Sequence, residues 1–393
     1  NLISGNGRSG ILIQNGSSRN TVTNNHIGIN ADGTATMRNG EWGLRLSNSE
    51  GRPVVRDNVI RDNVIGGHTD GYTGIALIAA ANSTMEENTV VGNWLGLVPV
   101  EGQPPRVMPN SAGIGLGNGA VNNRIGGSLP EEANVVGGNT FGVRILDVAT
   151  DNEVIGNYLG TDDQGNAGLG NGWGVQIVEG ASANTIRGNT VSGNSTGIEI
   201  RGRVDRSSSD NIIEGNLIGL APDAQTSLPN AGDGISIGAY ATGTTVGGIA
   251  AGEGNVIAHN GGRGVSIADD TSTAHTIRGN SIFSNGGLEI DLGDDGVTLP
   301  DVDDADTGPN NLQNFGELTA VETGATTTVE GSLIGQPNTN LTLDFYGSSA
   351  ADPSGFGGGE RYLDSIAITV DEAGQAFFNG VLNAATSEGE RIT

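Results

Sequence analysis

The chain has 393 residues, 35% apolar and only 4% aromatic, and its 45 acidic against 18 basic residues give a net charge of −27. A field of that sign opposes nucleic acids, anionic membranes and polyanionic substrates unless divalent cations bridge the two, which leaves neutral glycans or cations as easier partners. Cys and Lys are absent, every basic residue being Arg, so disulfides, thiolate metal sites and lysine chemistry are excluded, and no apolar run approaches the length that spans a bilayer.

The N-terminal NLISGNGRSG opens inside a repeat with no signal peptide, and the final GERIT stops on a strand-like run, so the sequence reads as a fragment of a longer precursor. The first long segment between repeats is IGINADGTATMRNGEWG from Ile27. Homologous segments start at Leu95, Leu159 and Ile218, which are 68, 64 and 59 residues apart. A coil such as Asn184 to Arg206 takes about 22 residues, so the insertions fall on about every second turn and are expected to stack on one side, where aligned loops build a functional face. Trp42 and Trp173 follow an insertion and Trp94 precedes one. Such aromatics serve either as platforms for the CH faces of sugar rings or as plugs at the loop bases.

Between the first two insertions lies IGGHTDGYTGIAL, holding His68, Asp70 and Tyr72. A His whose tautomer is set by a carboxylate, together with a phenol, can abstract a C5 proton from a uronic acid and return one to the leaving oxygen. The segment resembles the Tyr/Asp/His-bearing motif of mannuronan epimerases and related lyases, with the residues in a different order. The alternative is a Thr/Gly/Asp turn that happens to hold a His. Arg45, Arg52, Arg56 and Arg61 precede it, as neighbours or as ordinary charge partners. Farther on, Asp162 and Asp163 in LGTDDQGN, with Asp223 and Asp233 on the next loop, supply carboxylates for a hydrolase pair or are solvated loop acids.

Gly-led strands recur as GVRI from Gly142, GVQI from Gly174, GIEI from Gly197, GISI from Gly234, GVSI from Gly264 and GLEI from Gly287. Between them run NEVIGN from Asn152, NTIRGN from Asn184, NIIEGN from Asn211 and HTIRGN from His275, each followed by a further apolar pair. Alternate residues are apolar, the period-2 mark of strands with one buried face. The Gly-Asn pairs tolerate left-handed turns and let Asn amides bond to the equivalent turn above and below. One unit cannot bury its apolar face alone, so the repeat predicts a solenoid of three short strands per coil. Over residues 1–290 this pattern resembles the right-handed parallel β-helices of the pectin-lyase-like superfamily, from which the handedness is taken. Related lyases neutralise substrate carboxylates with Ca²⁺ or Arg and use Lys or Arg as base; the Lys/Arg pair is not available here.

Residues 291–316 form an aperiodic acidic linker or cap, in which Asp294, Asp295, Asp301, Asp303, Asp304 and Asp306 are oxygen ligands suited to a structural Ca²⁺ at a domain junction, or a plain acidic linker. Residues 317–393 alternate between turn clusters, as in a small antiparallel β-sandwich. This tail resembles the Ig-like modules that follow β-helices in large bacterial secreted and surface proteins. The expected fold is therefore all-β. The expected role is that of an extracellular or cell-surface β-helix that presents stacked loops to a polysaccharide or cell-surface glycan, with no nucleic-acid partner and no membrane insertion. The alternative is a polysaccharide lyase, epimerase or glycoside hydrolase working in the loop-lined groove.

Overall fold

The computed structural model describes residues 1–80 and 82–393. Three parallel sheets wind around one aliphatic core. The long-strand sheet has ten strands, from Ile11–Gln14 through Leu44–Asn48, Thr73–Ala79, Ala112–Gly117, Phe141–Ile145, Trp173–Val178, Thr196–Arg201, Ile235–Ile237 and Val265–Ile267 to Ile290–Leu292. A short-strand sheet of ten runs from Leu2–Ile3 to Ser281–Phe283, and a middle sheet of nine runs from Thr21–Thr23 to Thr276–Arg278. Each strand pairs with its counterpart one coil away, as Ile177 does with Ile145 and Ile200.

Alternation within each strand decides what goes inside. Ile145, Ile177, Ile200, Ile237 and Ile267 form one inner column, and all five are fully buried. Each such side chain contributes about 1.5–3 kcal/mol by leaving water. No α-helix occurs among the described residues, and none is long and apolar enough to cross a membrane.

The corners are held by three rows of stacked side chains. One row runs through Asn1, Asn25, Asn63, Asn93, Asn134 and Asn157, with each Nδ2 donating to the next Oδ1 at 2.8–3.0 Å. From Asn25 onward the backbone N–H of each member donates to the same oxygen. Turns beside the rows need glycine: at Gly160, φ is +95° and a Cβ would lie 2.3 Å from Asn194 Oδ1 and from Ser192 O.

The four insertions leave the short-strand sheet after Ile27, Leu95, Leu159 and Ile218 and return to the long-strand sheet, on alternate coils. They stack as the spacing implies. Ile29 of the first packs with Val98 and Met108 of the second, and Arg106 donates to Gly33 O at 2.6 Å. Leu97 of the second meets Leu169 of the third.

After Leu292 come single turns at Val302–Asp304 and Pro309–Leu312, then two antiparallel three-stranded sheets around Val329, Phe345, Val370 and Phe378. Asp344 grips Arg278 with two contacts of 2.6 and 2.7 Å, Tyr346 Oη accepts from Gly279 N–H, and Gly359 pairs antiparallel with Ile282. The last bond pair extends the short-strand sheet by one bridge.

Candidate functional site

The outer face of the long-strand sheet brings aromatic and cationic side chains together. In-register pairing lines up one outward column as Leu12, Arg45, Ala76, Gly115, Arg144, Gln176, Glu199, Ser236 and Ser266. Beside it Thr73, Ala112, Phe141 and Trp173 share a second column, and Trp42 holds the corresponding place two residues before Leu44.

Two stations on this face are aromatic and cationic. At the first, the Arg45 guanidinium lies 4.1 Å from the centroid of Trp42, which meets Tyr72 edge-on at 5.2 Å. At the second, Arg144 lies 4.4 Å over Phe141, which stacks on Trp173 at 5.1 Å and 18°. Between them the outward positions are Thr73, Ala76, Ala112 and Gly115, small residues of which only Thr73 is not buried. Three strand spacings separate the arginines, about 14 Å.

In so acidic a chain most arginines sit in ion pairs, yet neither Arg45 nor Arg144 forms one among the described residues. Arg144 Nε donates to Gln176 Oε1 at 2.9 Å, and Gln176 Nε2 donates in turn to Glu199 Oε2. Arg45 Nε is buried with no hydrogen-bond partner, and burial pushes its guanidinium down from the usual value, with Glu41 opposing. A carboxylate or sulfate set against either guanidinium would gain charge-assisted bonds, with the aromatic ring holding the guanidinium in place from behind.

The structure sends the sequence-derived candidates to different places. His68 lies inside a corner row: its Nδ1 meets Asn110 Oδ1 at 3.0 Å, and Asn39 Nδ2 meets its Nε2 at 3.3 Å. Burial holds its pKa below the ordinary value, and the two contacts select the neutral tautomer with the proton on Nδ1. Asp70 is exposed and paired with Arg38, while Tyr72 turns to Trp42, so the three do not share a groove.

Asp162 is buried and closes its own loop, accepting from Gln164 and Asn166 N–H and from Asn166 Nδ2, whereas Asp163 is exposed. Trp42 and Trp173 do share a column. Trp94 lies apart on the short-strand sheet, packed with Leu97, Val135 and Leu169 at the base of two loops.

Of the six linker acids, Asp301, Asp304 and Asp306 converge, with one oxygen from each within 4.8 Å of the others, a triad that could bind a metal ion. Asp306 Oδ1 is buried without a partner, and burial, then Asp301 and Asp304, push its pKa up. An orphaned carboxylate oxygen beside two more carboxylates fits a hard cation. Asp294 is elsewhere, paired with Arg263 at 2.7 Å; Asp295 borders the same cleft, and Asp303 faces Gly374.

Arg144, Phe141 and Gln176 are not among the residues the sequence singles out, and Arg45 is singled out there only as a neighbour of the His68 segment or an ordinary charge partner. Their signal was available in the third position of the Gly-led strands GLRL, GVRI and GVQI, the one that points outward, with Trp or Phe before the Gly.

Residues 1–159 match the family model described as the right handed beta helix region. The chain is thus a right-handed parallel β-helix followed by a small antiparallel module. No curated protein sequence matches the chain. Among solved structures, a double mutant of the periplasmic alginate epimerase AlgG is 14% identical with a TM-score of 0.39, over 67% of this chain and 62% of that one. This chain therefore spans less than two thirds of that protein's crystallised length. The A-module of mannuronan C-5 epimerase AlgE4 from Azotobacter vinelandii is 13% identical, TM-score 0.27, over 70% of each chain. The tailspike protein gp49 of Pseudomonas phage LKA1 is 11% identical, TM-score 0.20, over 91% of this chain and 67% of that one.

Proposed function

We propose that the protein binds an acidic polysaccharide along the outer face of its long-strand sheet, as a structural or adhesive element outside the cell or on its surface. The observation that carries this reading is the pair of arginines, Arg45 and Arg144, which form no ion pair among the described residues, each stacked on an aromatic ring, on either side of the small side-chain positions Ala76 and Gly115. The guanidiniums supply forks for carboxylates, and the rings behind them hold those forks in place. Binding is favoured over catalysis because His68 and Asp162 are spent in internal hydrogen bonds.

Titration of uronate and neutral oligosaccharides followed by calorimetry tests it. Uronates bind the native chain, Trp42→Ala and Arg144→Gln each weaken binding at least tenfold, and equal binding of neutral and acidic glycans removes the reading. Release of unsaturated uronate, seen as a rise in ultraviolet absorbance, supports the lyase alternative instead.

The Asp301, Asp304 and Asp306 triad supports a second, structural element of the proposal, in which Ca²⁺ braces the turn between cylinder and sandwich. The ion would neutralise three carboxylates that otherwise repel. Calcium at a hundredfold over its Kd would stabilise the fold by about 2.7 kcal/mol, so the thermal midpoint rises with calcium and returns with chelator. An unchanged midpoint removes the ion from the proposal.

A further inference from the structure

The lower end of the cylinder is closed unevenly. Gly359 pairs with Ile282 and so covers the edge of the short-strand sheet, but the last strand of the long-strand sheet, Ile290–Leu292, has no strand beneath it among the described residues. In this register Asp291 turns its backbone groups up toward Val265 and Ile267, leaving Ile290 N–H, Ile290 C=O and Leu292 N–H pointing down. Leu292 C=O accepts from Thr298 Oγ1, and the other three make no hydrogen bond among the described residues.

Below this edge is a cavity of about 770 Å³, bounded by Ile290 and Leu292 above and by Leu341, Leu343, Phe345 and Phe378 of the sandwich. Ile290 ends an inner aliphatic column and is 43% exposed there. On the outer side of the same strand a cleft is bordered by Asp294 and Asp295, and Asp295 has no ion-pair partner among the described residues.

We infer that this cavity receives an extended peptide segment of a partner protein, which adds as the eleventh parallel strand of the long-strand sheet. A peptide is indicated over a simple apolar ligand because the open backbone groups alternate donor and acceptor at strand spacing. The segment has apolar side chains at alternate positions, continuing the columns that end at Ile290 and Leu292. It has a basic residue on the outward side, complementary to Asp295, Asp294 being already paired with Arg263. The strand one coil above, Arg263 to Asp269, has this pattern and already pairs with the upper edge. This inference is independent of the glycan face.

A fluorescein-labelled synthetic peptide of the Arg263 to Asp269 sequence is the probe, titrated with the whole chain and followed by anisotropy. Its Ser266 N–H would donate to Ile290 C=O and its Ser266 carbonyl would accept from Leu292 N–H. Saturable binding is expected, weakened at least tenfold by N-methylation at that one serine, which keeps every side chain. Leu343→Trp, which fills the cavity, abolishes binding. Equal binding of the methylated and unmethylated peptides means an apolar cavity and no added strand, and overturns the inference, as does the absence of binding at millimolar peptide.

Discussion

His275 takes the place of an asparagine in a corner row, and the exchange has a pH consequence. Its Nδ1 accepts from Thr244 N–H at 3.1 Å, its Nε2 faces Ser272 Oγ at 3.0 Å, and its own N–H donates to Asn310 Oδ1. Burial lowers its pKa to about 4, against an ordinary value near 6.5. As the pH falls the unfolded chain therefore takes up the proton first. Stability is intact above about pH 7, declines through the window from 6.5 to 4, and loses at most about 3 kcal/mol there. His68, lowered in the same direction by the same cause, adds to the decline. Replacement by the asparagine used elsewhere in the rows, His275→Asn, should flatten the curve of denaturation midpoint against pH between 7 and 4; a curve parallel to that of the native chain would show that the ring does not titrate with folding. The substitution was partly legible, since HTIRGN aligns with NTIRGN. At His68 the chemical versatility of imidazole drew attention to catalysis, while the alignment of IGGHTDG with the Asn-bearing corners pointed to packing.

Rows of asparagine turn a chain of coils into cooperative elements. Asn157 accepts from Asn134 Nδ2 and N–H, and its Nδ2 donates to Asn189 Oδ1, Ile125 O and Ile155 O. Asn157→Ala leaves buried donors above and buried acceptors below, each costing about 1–3 kcal/mol when unmet. We expect a total loss of about 3–5 kcal/mol, read from the denaturant midpoint, with amide exchange accelerated in the two adjoining coils. A loss under 1 kcal/mol would mean that water replaces the amide. Strand series and insertion period were legible because both are short-range patterns along the chain. Which side chains touch across coils was not, because members of one row are separated by anything from 23 residues, as Asn134 and Asn157 are, to 41, as Asn93 and Asn134 are. The Arg144, Phe141 and Trp173 cluster depends on that lateral register, and so does the split of Trp94 from the other two tryptophans.

At the scale of the whole molecule, the charge of −27 and the proposed glycan face pull in opposite directions. The acids act at a distance and the two arginines act in contact, so ionic strength separates them. At ~0.01 M salt the screening length is about 30 Å and the cylinder's field reaches an approaching polyuronate; at ~0.15 M it is about 8 Å, and little beyond the arginine stations is felt. Contact pairs between a guanidinium backed by an aromatic ring and a carboxylate are screened much less, because the ring excludes water from one side. Affinity for a polyuronate should therefore rise between these two salt concentrations, opposite in sign to the counterion-release behaviour of basic proteins on polyanions. Calorimetric titration of the same oligouronate across the series checks it. A steady fall in affinity over the whole range would mean that the arginines act as exposed charges and that the aromatic stations are not where the glycan lies.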